Sequence, residues 1–149
     1  MDDATRLELL LALHLLASGG MLGVTWIVQL VTYPRFVDVA PERWTSFHAL
    51  HGARITLVVF PLMLLELGTA AVLALSPPAP VDETLAWLRL ALAAAAWLLT
   101  AFVSVPIHRA LERSGDPLLV RRLVRTHALR TAVWSAGAVV AAALLVAAP

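Results

Sequence analysis

No cysteine occurs in the 149 residues, and every one of the eleven basic residues is arginine. Without cysteine there is no disulfide framework, no thiolate metal site and no cysteine nucleophile. Charge is scarce as well: 14% of the residues are charged, against about 25% in an ordinary soluble domain. The net charge is only +1, which gives no basic surface for nucleic acid. Against these shortages stands an excess of apolar residues, 60% of the chain. The mean hydropathy is +0.84. A chain this apolar is neither disordered nor an ordinary cytosolic enzyme.

The apolar residues come in long runs rather than in alternation, the pattern of membrane-crossing helices. Four spans can be read, at about 7–31, 55–75, 85–107 and 131–148. Each approaches or exceeds the ~20 residues that a helix needs to cross the hydrocarbon core. Helices are required there, because lipid offers backbone groups no hydrogen-bond partner. Turn chemistry separates the spans: Tyr33-Pro34, then Ser76-Pro77-Pro78-Ala79-Pro80, then Ser114-Gly115-Asp116-Pro117. Asp2 and Asp3 and the length of the first apolar run argue against a cleaved signal peptide. The expected architecture is all-α: one domain, an integral membrane antiparallel four-helix bundle. No tandem repeat of supersecondary size is evident.

The arginines are unevenly placed. Arg35, Arg43 and Arg54 flank the first loop, and Arg109, Arg113, Arg121, Arg122, Arg125 and Arg130 flank the third. Only Arg6 and Arg89 lie toward the opposite side. The positive-inside rule then predicts a multi-pass protein of the inner (plasma) membrane, with both long loops cytoplasmic and both termini outside. Pro41-Glu42-Arg43-Trp44 reads as a helix start, and Asp116-Pro117 as a cap followed by proline at the first position. Helices two and four are thus expected to extend into the cytoplasm.

Four of the five histidines fall at that arginine-rich end. His48 and His51 precede the second span, His108 closes the third, and His127 precedes the fourth. His48 and His51 share a helix face by their i, i+3 spacing. Gln29 and Tyr33 stand at the same end of helix one; His127, Arg130, Thr131 and Trp134 share a face of helix four. Neutral imidazoles converging from several helices suit an Fe, Cu or Zn ion. Haem is the less favoured cofactor, because His14 has no partner at matching depth. The competing reading makes these interfacial histidines that cap helix ends or line a metal-free pocket.

Glu66 is placed near the middle of the second span, where an ionisable side chain costs at least ~2.5–3.5 kcal/mol and by default signals function. It lies too far along the helix from His51 to share a metal with it. Its expected partners are a hydroxyl, Thr100 or Thr25, or His14 through water. Pro61, beside it, is expected to loosen the helix and open a pocket near the carboxyl. Gly19 with Gly23, and Gly137 with Ala141, permit close helix packing within the bundle or between copies in a homo-oligomer. Trp44 and Trp87 suit the membrane interfaces, and Trp26, Trp97 and Trp134 the core.

Val105-Pro106-Ile107-His108-Arg109-Ala110-Leu111 resembles a P-[N/H]-x-x-L motif ending a third helix. His127-Ala128-Leu129-Arg130-Thr131 resembles an [N/H]-x-x-R-T motif opening a fourth, and Val31-Thr32-Tyr33-Pro34-Arg35-Phe36 an apolar-Pro-apolar pattern closing a first. In this order the chain resembles the anthrone-oxygenase-like family of small four-helix membrane proteins. That resemblance implies oxidation of a hydrophobic, often aromatic substrate, with His108, His127, Arg130 and Thr131 as site residues. Imidazoles stand here where the family often carries asparagine.

Together these readings predict a membrane oxidoreductase acting on a lipophilic small molecule from the bilayer. His48, His51, His108 and His127 are the candidate metal ligands; Arg130 would hold an anionic group, and Glu66 or Tyr33 would handle protons. Two rival readings are a proton-coupled transporter or channel built on Glu66, and a structural subunit of a larger membrane complex.

Overall fold

The computed structural model describes residues 2–78 and 81–147. Ala79 and Pro80 of the second turn, and the end of the expected fourth span at Ala148, lie outside the described residues. The described chain is all-helical. Helix α1 is α-helical over Asp3–Ile27, widens to a π-helix over Val28–Thr32 and tightens to a 3-10 helix over Tyr33–Asp38. Helix α2 runs unbroken over Pro41–Leu75. Helix α3 is α-helical over Glu83–Leu99, π-helical over Thr100–Ser104 and α-helical again over Val105–Leu111. Helix α4 covers Pro117–Ala147. All four are long and apolar enough to cross a membrane. They form an antiparallel bundle in which α1 and α3 each pack against α2 and α4.

The helix starts follow the local chemistry. The Asp2 and Asp82 carboxylates accept the N–H of Thr5 and Leu85 at 2.8 and 3.0 Å, each filling a donor that a helix start leaves free. Asp116 does the same for Leu118 at 2.8 Å, with Pro117 as the first helical residue. At 35 residues α2 is about 50 Å long, well beyond the ~30 Å hydrocarbon core. It starts at Pro41, as the start signal predicts, so its first turns carry Arg43 and His48 at the arginine-rich end.

The packing has three tiers. Leu7, Leu11, Leu73, Ala86 and Leu144 fill the end that holds the termini. Met21, Met63, Ala96 and Trp134 fill the middle. Tyr33, Phe36, Trp44, Ile107, Leu111 and Leu123 fill the arginine-rich end. Polar groups are buried among them, whereas Leu16, Leu57, Phe102 and Val139 face outward at 67, 76, 74 and 70% exposure. That inversion of the soluble pattern is what a lipid environment selects.

Three packing expectations change. Trp44 is buried rather than interfacial, and its indole N–H donates to the Leu111 carbonyl at 2.7 Å. A Cβ at Gly115 would stand 2.8 Å from the Trp44 ring, so glycine is what lets the third loop close over it. Trp26 is 45% exposed, not core. Gly19 and Gly23 are exposed and a Cβ on either would meet nothing within 4 Å, so this pair seats no helix within the chain. The inward face of α1 carries Ala17, Ser18 and Met21 instead, with Gly20 close to Leu62.

Candidate functional site

The site is built on two matching irregularities. In α1 the N–H of Tyr33 donates to the Val28 carbonyl, and in α3 that of Val105 donates to the Thr100 carbonyl, both five residues back. Each π segment is followed by one residue and then a proline, Pro34 or Pro106. A proline lacks the N–H for the carbonyl four residues back, and its ring crowds that carbonyl. Widening the preceding turn relieves the clash, and such turns recur at functional sites. Spacing of five replaces spacing of four, so Val28 and Tyr33 are both buried. The return helices match as well: α2 carries His48-Ala49-Leu50 and α4 carries His127-Ala128-Leu129. The two hairpins thus share a local pattern, too short in sequence to read as a repeat.

Tyr33 is the hub. Its hydroxyl lies 2.9 Å from His108 Nε2, and His108 Nδ1 lies 3.1 Å from His48 Nε2. These three side chains form one hydrogen-bonded chain across α1, α3 and α2. The rings of His127, His108 and His51 approach Tyr33 edge-on, with centroids at 4.8, 5.6 and 6.0 Å. His51 is otherwise packed against Phe36 and Phe47, and its Nε2 has no partner. The convergence expected of the four histidines is present, with the tyrosine at its centre.

His127 is oriented from its outer side. Its Nδ1 lies 2.9 Å from Gln29 Oε1, an acceptor, so in the neutral ring Nδ1 carries the proton. Nε2 is then left as an acceptor, and it is buried without a partner. Thr131 secures the same turn by donating to the His127 carbonyl at 3.0 Å.

A cavity of about 130 Å³ opens beside this group. Met21, Val24, Val28, Val59 and Met63 give it apolar walls, while Tyr33, His108, His127 and Arg130 supply its polar side. Thr56 and Val105, which also line it, are exposed on α2 and α3. The cavity therefore reaches the apolar outer surface between those two helices. Arg130 lies beside the Tyr33 hydroxyl, and its guanidinium carbon sits 5.3 Å from the Trp134 ring centroid. It also makes a long contact with the Thr100 hydroxyl at 3.5 Å. Its Nε is buried without a partner, and no carboxylate pairs with it among the described residues.

Glu66 belongs to a different centre. Its carboxylate is paired with Arg89, both side chains being 1% exposed, and also accepts the Trp134 indole N–H at 2.8 Å. Arg89 donates further to Ser18 at 3.1 Å. The expected partners are otherwise engaged: the Thr25 hydroxyl donates to the Met21 carbonyl, the Thr100 hydroxyl to the Ala96 carbonyl, and His14 Nδ1 meets Thr69. The reason is length. Glu66 and Arg89 lie at similar distances from the turn joining α2 to α3, and an arginine side chain spans the remaining gap. Arg89 is thus not an interfacial marker but a buried ion-pair partner. A Cβ at Gly137 would stand 3.2 Å from its guanidinium, so that glycine makes room for Arg89. The cavity does not form beside the Glu66 carboxyl; Trp134 stands between the two.

For a metal ion the fit is partial. His48 Nε2 and His108 Nδ1 face each other at a separation that two ligands of one ion could adopt, and His108 Nε2 would keep Tyr33 as its outer partner. His51 and His127 are directed elsewhere. Among the described residues no three His, Asp or Glu side chains are grouped as a metal set. Compared with family models, with curated proteins and with solved structures, the chain matches none.

Proposed function

We propose that this multi-pass membrane protein is an oxidoreductase that takes a small lipophilic substrate from the bilayer into the cavity between α2 and α3. The observation that carries the reading is Arg130: a cation with no carboxylate partner among the described residues, facing a cavity that reaches the apolar outer surface. Arg130 is half-buried, and a charge drawn partly out of solvent without a partner is costly; such a group in a membrane protein marks a binding or transport path. Arg130 stabilises negative charge on a substrate oxygen. Tyr33, His108 and His48 form the path by which a proton leaves or enters the cavity. Oxidation of an anthrone-type substrate would consume dioxygen and release water, with the product keeping the new carbonyl oxygen.

An Fe or Cu ion at the His48–His108 pair would supply redox chemistry for activating dioxygen, whereas Zn, which has none, would only polarise a bound oxygen. Two donors are an incomplete set, and no step is assigned to the ion. In this reading the arginine-rich end faces the cytoplasm of the inner membrane and the termini face outward. A carrier built on Glu66 is less well supported, because that carboxylate is held by Arg89 and Trp134. The test is detergent-purified protein, examined by elemental analysis and optical spectrum and assayed for dioxygen uptake with an anthrone or a lipophilic phenol. Turnover that falls at least tenfold in His108→Ala supports the proposal. Absence of turnover with either substrate, in protein holding no metal and unresponsive to added Fe, Cu or Zn, ends it.

A further inference from the structure

From the walls of the cavity we infer the substrate class: a phenol with a single aromatic ring and an apolar tail, bound as its phenolate. The inference rests on the proposal that this cavity is the working site, and it narrows that proposal.

Size is the first constraint. A cavity of about 130 Å³ is close to the ~150 Å³ space known to accept one benzene molecule. One ring fills it; a fused three-ring skeleton enters only if the helices part. The second constraint is charge. Arg130 brings a positive charge that nothing in the wall neutralises. Tyr33, His108 and His127 are the other titratable groups of the wall, and α2 contributes only Ile55, Thr56, Val59 and Met63. A neutral hydrocarbon would leave the guanidinium unpaired, whereas an anionic oxygen completes it.

The third constraint is the wall. A phenol ionises as it binds: the O–H bond breaks, the proton leaves to water, and the phenolate oxygen stays on Arg130. A fatty acid offers the same charge but no ring to fill the cavity. The walls of Val24, Val28, Val59 and Met63 suit a ring face, and the opening at Thr56 and Val105 lets a tail lie on the apolar outer surface.

The probes are an alkyl-tailed nitrophenol, its methyl ether, and a fatty acid of the same tail length. Each is titrated into the intact protein in detergent. The nitrophenol reports its own ionisation by visible absorption. The wild-type protein is expected to bind the phenol about tenfold or more tighter than the ether or the acid, and to ionise it at lower pH than detergent alone. Arg130→Gln should weaken phenol binding about tenfold to a hundredfold and abolish the ionisation shift, while Arg130→Lys restores part of both. Equal binding of the ether, preference for the fatty acid, or an unchanged ionisation shift in Arg130→Gln overturns the phenolate assignment. Those comparisons on wild-type protein hold even if a variant fails to fold. Binding of none of the three overturns the cavity as the working site and removes the basis of both proposals.

Discussion

Two arginines turn inward in this bundle, Arg89 fully buried and Arg130 half-buried, and they are treated in opposite ways. Arg89 is enclosed by Glu66, Ser18 and the space left by Gly137. Its charge is answered within the chain by the Glu66 carboxylate. Arg130 sits at the edge of a cavity with an aromatic face, a long contact to Thr100 and no carboxylate. A chain in lipid can carry a charge at little net cost by pairing it, or can leave the pairing to something that arrives. The first centre holds the helices together, and the second is where we place the chemistry.

Breaking the first centre should have the largest effect. Arg89→Met alone leaves Glu66 buried and uncompensated and is expected to cost about 3–5 kcal/mol. The double variant Glu66→Gln, Arg89→Met should recover most of that loss. Melting of the purified proteins, followed by fluorescence, measures both. Equal losses in the single and double variants would show that the pair is not coupled. Gly137→Ala presses the same centre more gently. Its new methyl stands 3.2 Å from the guanidinium, and overpacking of this kind costs about 1–3 kcal/mol. A gain in stability there would show that Arg89 has room to spare.

The cavity end should respond in function rather than in stability. Tyr33→Phe removes the hydroxyl that joins His108, at a cost of about 1 kcal/mol to folding. If the proton path is right, turnover falls about a hundredfold in the same variant. Comparable turnover in Tyr33→Phe and wild type would break the path. Arg130→Gln should change stability by no more than about 1 kcal/mol, because the lost contact with the Trp134 ring is offset by the burial cost of an unpaired charge.

The contrast also separates what the sequence shows from what it hides. Run length and turn residues marked the four helices, and Pro41 and Asp116-Pro117 marked two of their starts. The grouping of His48, His51, His108 and His127 followed from topology alone, because antiparallel helices must bring those ends together. The partner of Glu66 did not follow, since a positive-inside count treats Arg89 as a marker of one membrane face. Measuring each residue from the turn between α2 and α3 would have found the pair. The π turns were hidden because proline normally signals a helix end; their trace is the shared placement of Pro34 and Pro106. Gly19 and Gly23 misled for a physical reason: spacing says that two glycines share a face, but not which way it points.

The central claim is that the charge left unpaired is the one that works. The most direct test is a melt of wild-type and Arg130→Gln protein, each with and without the alkyl-tailed nitrophenol. The account predicts similar melting temperatures without ligand, a clear rise for wild type with it, and no rise for the variant. An equal rise in both proteins, or collapse of the unliganded variant, would contradict it.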